Sequence, residues 1–552
     1  MSAVVRSLFI FSILCSTFTV IAQEAVYTRQ DSLRGSITPE REWWDLLHYD
    51  LYVSVDMENH TISGSNLIKY KVLSTYQSMQ IDLQTPMQIG QVTQNGNALD
   101  VRHDGNAHFI RFEEEQKVGE TYEIEVRFSG KPLEATNPPW DAGFTWTKDS
   151  NGKDWVVSTS QGIGASVWWP NKDHYYDEPD EGIQLSVNVP KGLIAVGNGR
   201  LIKEVKEKNK TQTFIWGVKS PINNYGVNLN IGDYVNFNDV YQGKNGPLDL
   251  GFWVLTENLK KAKVHFKEVD RTLEAFEYWL GPYPFYEDSY KLIDVPYLGM
   301  EHQSAVTYGN QYSMGYLNRD LSLTGWGLKW DYIIVHETAH EWWGNSITHR
   351  DAADLWIHES FAFYSESLFI EYFYGKEAAS DYLKGARYSI HNQGTIVGDY
   401  GVHNEGVDIY NKGGNMLHTL RQIIDDDSLW HDILIGLNKE FYHQIVDSKD
   451  IEEYLANRSG LDLDAFFNQY LRDSRIPILE YAKYQGDLIF RWTNCIPDFN
   501  MPVKIYLDGQ AEIIYPQTGW GRYKLGDPIE DLEVDKEYYV YSNELFINEI
   551  NE

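Results

Sequence analysis

Between about residues 45 and 240, apolar and polar positions alternate. Tyr49, Leu51, Val53 and Val55 share one side of one run, and Tyr122, Ile124, Val126 and Phe128 share one side of another. A period of two is the signature of strands with one buried face. Asn95-Gly96 and Asn198-Gly199 supply turns between such runs. The period changes near residue 258. Leu259, Ala262, Phe266, Val269, Leu273, Phe276 and Leu280 recur at three- and four-residue spacing, which predicts an amphipathic helix stopped by Gly281-Pro282. Helical patterns run on to about residue 474, interrupted by a strand-like segment from Tyr290 to Val306. After Pro477 the alternation returns. Val503, Ile505 and Leu507 lead into Asp508-Gly509, a hairpin signal, and Ala511 to Tyr515 can pair back. The pattern predicts an α+β, multidomain chain. A β-rich domain covers 23–240, a mainly helical domain 241–474, and a small β domain 475–552.

Residues 1–22 read as a secretory leader. Arg6 supplies the positive start, Ser7 to Ala22 carries no charge, and Val20-Ile21-Ala22 precedes a cut. The segment is short for a membrane span, and the bulky Leu14 before Cys15 disfavours a lipid anchor. The expected location is therefore the periplasm or the medium, in soluble form. Removal of Cys15 leaves Cys495 alone, so no intramolecular disulfide is expected.

Composition narrows the partners. At 552 residues, 42% hydrophobic and with 18 Trp, the chain can bury more than one core. Its net charge of -33 opposes binding to nucleic acid or anionic membranes, which are themselves polyanions.

The chemistry concentrates after residue 332. His336-Glu337-x-x-His340 places two imidazoles one helical turn apart, able to reach one ion, with Glu337 beside the position of an activated water. Gly344-Asn345 is the expected end of this helix. A catalytic zinc needs three protein ligands and one open position. A second helical pattern, Asp354 to Phe369, supplies Glu359 among aromatic and aliphatic neighbours that would bury it. The metzincin alternative fails, because Trp343 and Ser346 stand where that motif has Gly and His. Glu366 shares a helical face with Glu359. It is either a hydrogen-bond partner that fixes His336 or an ordinary surface carboxylate.

His-Glu-x-x-His, eighteen residues and then Glu resembles the M1 metallopeptidases, the aminopeptidase N family. Three further segments match that family's motifs in chain order. Tyr297-Leu-Gly-Met-Glu-His302 resembles its Gly-x-Met-Glu-Asn motif, and Tyr410-Asn-Lys-Gly resembles the segment with its catalytic tyrosine. Ser160-Gln161, with Trp169-Pro170 and Asp177-Glu178-Pro179, resembles the segment lining its substrate pocket.

The resemblance, over residues 45 to 475, implies a saddle-like N-terminal β domain forming one wall of the cleft. A thermolysin-like catalytic domain and a small C-terminal β-sandwich would follow. It further implies one Zn2+ per chain on His336, His340 and Glu359, with Glu337 as general base and Tyr410 as oxyanion donor. Glu301 would read the free α-ammonium of a peptide substrate, with Gln161 in the first side-chain pocket. Gly299 and Met300 would align the substrate backbone. His302 departs from the family's Asn, which alters the fine geometry of alignment and the expected pH profile. The large C-terminal helical domain of long members is expected to be absent, leaving a more open site. A non-catalytic peptide-binding protein and a thermolysin-type endopeptidase are the competing readings. The first needs neither Glu337 nor Tyr410, and the second does not need Glu301.

Overall fold

A computed structural model describes residues 26–546, apart from 209, 485 and 526–528. The leader read over 1–22 lies outside the described residues.

The alternating runs of the first region form strands in the expected register. Trp44–Asp56 sits near the middle of an eight-stranded sheet, antiparallel to Thr61–Val72 on one side and parallel to Ile183–Pro190 on the other. Tyr49, Leu51, Val53 and Val55 all point into one core, together with Ile124, Val126 and Phe128. A four-stranded sheet of Gly143–Lys148, Asp154–Thr159, Ile194–Gly197 and Leu229–Gly232 packs on that core.

The next sheet opens at Tyr234. The strand Tyr234–Gly243 runs across position 240 and pairs with Gly246–Leu255, followed by Tyr290–Asp294, Val306–Tyr308 and, at the edge, Gly299–Met300. The single helix expected over 259–280 is two helices, Leu259–His265 and Glu268–Leu280. The ladder breaks at Phe266, yet both halves bury apolar residues into one core, which is why the spacing alone reads as continuous.

Helices 332–339, 356–374, 376–386, 411–424, 427–440, 448–459 and 464–472 complete the middle region. The strands after Pro477 form sheets of four and three strands. One contains the Val503–Leu507/Gln510–Ile514 hairpin, whose turn uses Asp508 and Gly509 at positive φ. Their buried residues, Leu479 and Trp492 among them, continue the core of the helices. Among the described residues no helix is long and apolar enough to cross a membrane.

Candidate active site

The helix that starts the site is set by its own sequence. Asp331 caps it, its carboxylate accepting from Ile334 N at 3.1 Å, and Ile333, Ile334 and Val335 are buried. The helix spans Tyr332–Ala339 and stops at His340, four residues before the expected Gly344. Beyond it, Glu341 N bonds three residues back to Thr338 O, and Asn345 N bonds five back to His340 O. This irregular turn frees Trp343 O, which accepts from His340 Nδ1 at 2.8 Å.

Glu359 comes from the next long helix, Trp356–Tyr374. His336 Nε2 and His340 Nε2 are 3.4 Å apart, and Glu359 Oε2 lies 3.6 Å from the first and 3.5 Å from the second. Donors about 2.0–2.1 Å from a tetrahedral ion must be separated by about 3.3–3.4 Å. The triangle has that size. Ligation requires both Nε2 atoms to carry lone pairs, and the outer hydrogen bonds enforce this. His336 Nδ1 donates to Glu366 Oε1 at 2.7 Å, as His340 Nδ1 does to Trp343 O. Among the described residues Glu359 Oε2, buried, has no hydrogen-bond partner, an expensive state unless a cation faces it.

Charge gives the same answer. Burial opposes a proton on either imidazole. Nevertheless, Glu359 and Glu366 raise His336 well above the ordinary histidine range, and Glu359 and Glu301 raise His340 to about 9. The carboxylates thus favour positive charge at this spot, the charge that a divalent ion would supply with both Nε2 atoms unprotonated. The residues fit a zinc-type ion.

Glu337, Glu301 and His340 also bring one donor atom each within 4.8 Å of one another. Burial first, then the negative charges of Glu301 and Glu359, push the Glu337 carboxyl up, while His336 and His340 pull it down. Glu301 is fixed through its backbone, whose carbonyl accepts from Asn345 Nδ2 at 2.9 Å. Gly299–Met300, just before it, is the sheet's edge strand. Gly299 has a reason to be glycine: a Cβ there would meet Ile333 Cγ2 at 2.5 Å, on the helix that carries His336. His302 is fully buried, its Nδ1 3.3 Å from Thr307 Oγ1 and its Nε2 without a hydrogen-bond partner among the described residues. Burial holds its ring down at about 3, so it stays neutral across the ordinary working range and adds no titration there.

Tyr410 precedes the helix Asn411–Ile424, with about a third of its surface exposed. Its ring centre is 6.1 Å from that of His336. Desolvation, Glu359 and Glu301 keep its hydroxyl protonated well beyond the ordinary tyrosine range. The glycine after Lys412 allows this placement. A Cβ on Gly413 would lie 1.7 Å from Ser360 Oγ, next to Glu359, and Ser360 Oγ in turn donates to Ile409 O at 2.6 Å. Gln161 lies in the turn after Asp154–Thr159, half-buried. Nearby Thr159 Oγ1 donates to Met300 Sδ at 2.9 Å, joining this turn to the edge strand.

With that arrangement known, comparison decides the family. Residues 46–225 match the Peptidase M1 N-terminal domain and residues 264–470 the Peptidase family M1 domain. The chain belongs to the M1 peptidase family. It is 22% identical to aminopeptidase N of Lactococcus lactis subsp. lactis over 80% of this chain and 52% of the relative. It is 21% identical to probable aminopeptidase 2 of Sulfurisphaera tokodaii over 90% of this chain and 64% of the relative. The chain thus spans between half and two thirds of the length of these relatives. Among solved structures it is similar to a Deinococcus radiodurans M1 zinc metallopeptidase variant bound to a Tyr-Ser-Ala substrate. The TM-score there is 0.67 and the identity 20%, over 79% of this chain and 96% of that one.

The M1 motifs do not contain every residue that shapes this site. Glu366 is a buried partner of His336, not a surface carboxylate, and Tyr382 donates from its hydroxyl to the other Glu366 oxygen. Glu341, following His340, accepts from Ser304 N at 2.8 Å and from the Tyr283 hydroxyl at 3.0 Å, holding the Glu301–Ser304 turn against the metal helix. The sequence carries a signal for Glu366, its seven-residue spacing from Glu359. For Tyr382 and Ser304 it carries none, because the contacts join separate elements.

Proposed function

We propose that this M1 peptidase is a zinc-dependent aminopeptidase that removes residues from the N-terminus of peptides. The observation that carries the reading is the buried Glu301 carboxylate beside Glu337 and His340, directly after an edge strand. A peptide laid along Gly299–Met300 would extend the sheet by one strand and run its N-terminus into Glu301. A carboxylate there stabilises a terminal ammonium by about 1.5–3 kcal/mol and offers nothing to a blocked terminus.

His336, His340 and Glu359 would hold the zinc. Zinc supplies Lewis acidity, making water acidic enough to attack near neutral pH and drawing electron density from a carbonyl. Glu337 accepts the attacking water's proton on its carboxylate and returns it to the leaving amine. The Tyr410 hydroxyl, held protonated, donates to the oxyanion that forms as the carbonyl is attacked. Glu366 and Trp343 O keep both histidine rings in the ligating tautomer.

We also infer that the chain is exported to the periplasm or medium. The positive Arg6 and the uncharged Ser7 to Ala22 support this, and detection of a mature N-terminus near residue 23 in the exported fraction tests it.

Hydrolysis of aminoacyl-arylamides, with and without a chelator and against their N-acetylated forms, tests the activity. Turnover of free-amino substrates that the chelator abolishes is the expected result. Comparable turnover of acetylated peptides would establish an endopeptidase instead.

A further inference from the structure

We propose that Glu405 makes the first side-chain pocket select for a cationic N-terminal residue, lysine or arginine. This rests on the aminopeptidase reading above.

Glu405 lies on the segment between the helix Lys376–Ala386 and Tyr410. That segment is tied to itself and to a neighbour. Val407 N donates to Thr395 O at 2.7 Å, and Gly398 N donates to Ala353 O at 2.9 Å. His403 Nε2 donates to Gly162 O at 2.5 Å, so a single hydrogen bond joins the Glu405 segment to the turn that carries Gln161. The His403 ring stacks on Tyr175, with centres 5.7 Å apart and planes 5° from parallel. Tyr175 in turn packs with Tyr225, Val157, Tyr297 and Met300. Glu405 is thus two residues on from a ring that lies against an apolar, aromatic wall continuing to the edge strand before Glu301.

The carboxylate is half-buried and, among the described residues, has no hydrogen bond or ion pair. An unpaired carboxylate in that position is a cost to the fold unless a ligand answers it. Arg34, whose Nη2 lies 3.4 Å from His403 Nε2, is already held by Asp173 at 2.6 Å. The electrostatics agree with that neighbourhood. After burial, the charges of Glu359 and Glu301 are what raise its carboxyl, and Glu405 is the leading charge acting on the Tyr175 hydroxyl. The wall itself is unfinished. Ser160 Oγ, next to Gln161, and Tyr225 Oη, on which Glu301 is the leading charge, are both buried with no hydrogen-bond partner among the described residues. A long side chain ending in an ammonium or guanidinium would lay its methylenes along Tyr175 and bring its charge to Glu405.

The experiment compares kcat/KM for lysyl-, arginyl-, norleucyl- and leucyl-arylamides on the wild type, Glu405→Gln and Glu405→Asp, with zinc content measured for each. Norleucine matches the lysine stem without its charge. The expected wild-type preference for lysyl over norleucyl substrate is about ten- to a hundredfold. It should collapse in Glu405→Gln, with leucyl turnover kept within about threefold, and return in part in Glu405→Asp. If either variant proves poorly folded, the wild type alone decides, through inhibition of leucyl-arylamide turnover by lysinamide against norleucinamide. Equal loss on all four substrates would make Glu405 a prop for the Tyr410 segment and overturn the proposal. So would a wild type with no advantage for lysine and arginine. A wild type inert on every free-amino substrate would instead remove the aminopeptidase reading on which the proposal stands.

Discussion

His336 Nδ1 and Glu366 Oε1 are 2.7 Å apart, and both side chains are buried. The carboxylate therefore chooses which histidine nitrogen can face a metal. Glu366→Gln keeps the shape but offers a weaker acceptor, and in one amide orientation a competing donor. Zinc affinity should fall by about ten- to a hundredfold, as read by titration against a competing chelator. Unchanged affinity would reduce Glu366 to packing.

In the proposed mechanism Glu337 stands beside the zinc ligands without being one of them. Glu337→Gln should retain zinc and lose about two to four orders of magnitude in kcat. Metal content and turnover on the same preparation check this, and loss of zinc along with activity would reassign Glu337 to metal holding.

Tyr410→Phe removes only a hydroxyl from a residue whose placement is set by the helix behind it. The expected loss is about a hundred- to a thousandfold in kcat with little change in KM. Near-normal turnover would end its assignment as oxyanion donor.

Gly413→Ala tests that placement from behind. The added Cβ would sit 1.7 Å from Ser360 Oγ, so the two helices must part. Overpacking of this kind costs about 1–3 kcal/mol. We expect a lowered melting temperature together with reduced activity, because the displaced elements carry Glu359 and Tyr410.

Glu178 gives a pH signature away from the metal. Burial raises its carboxyl to about 7, against hydrogen bonds from Thr348 at 2.8 Å and from Asn223. Its folded value lies above the unfolded one, so folding favours the protonated form. The stability this confers is complete below about pH 4.5 and is lost as pH rises through about 7. Glu178→Gln can still accept from Thr348 and cannot ionise. It should melt higher than the wild type above pH 7, with the gap closing below pH 5. A gap independent of pH would rule out titration of Glu178 as its source.

The legible parts of this protein were those written in local spacing. Strand faces such as Tyr49 to Val55 follow from a period of two, and His336, His340 and Glu359 from helical periodicity and apolar flanks. Helix ends were less legible. Phe266 keeps the apolar spacing while the backbone breaks, and the chain after His340 leaves the helix to satisfy carbonyls three and five residues away. Contacts between distant segments left no local trace. Tyr382 on Glu366, Ser304 on Glu341 and His403 on Gly162 each join residues whose neighbours in sequence say nothing of the partner.

Val157, Tyr175 and Tyr225 from the β-rich half meet Val295, Tyr297, Met300 and Ala352 in a small cluster separate from both large cores. That wall is thus neither half's own interior but the seam at which they are pressed together. Under mild heat or denaturant, catalysis should fade before either half melts, because loosening that joint parts Met300 from Tyr175 while each larger core is still intact.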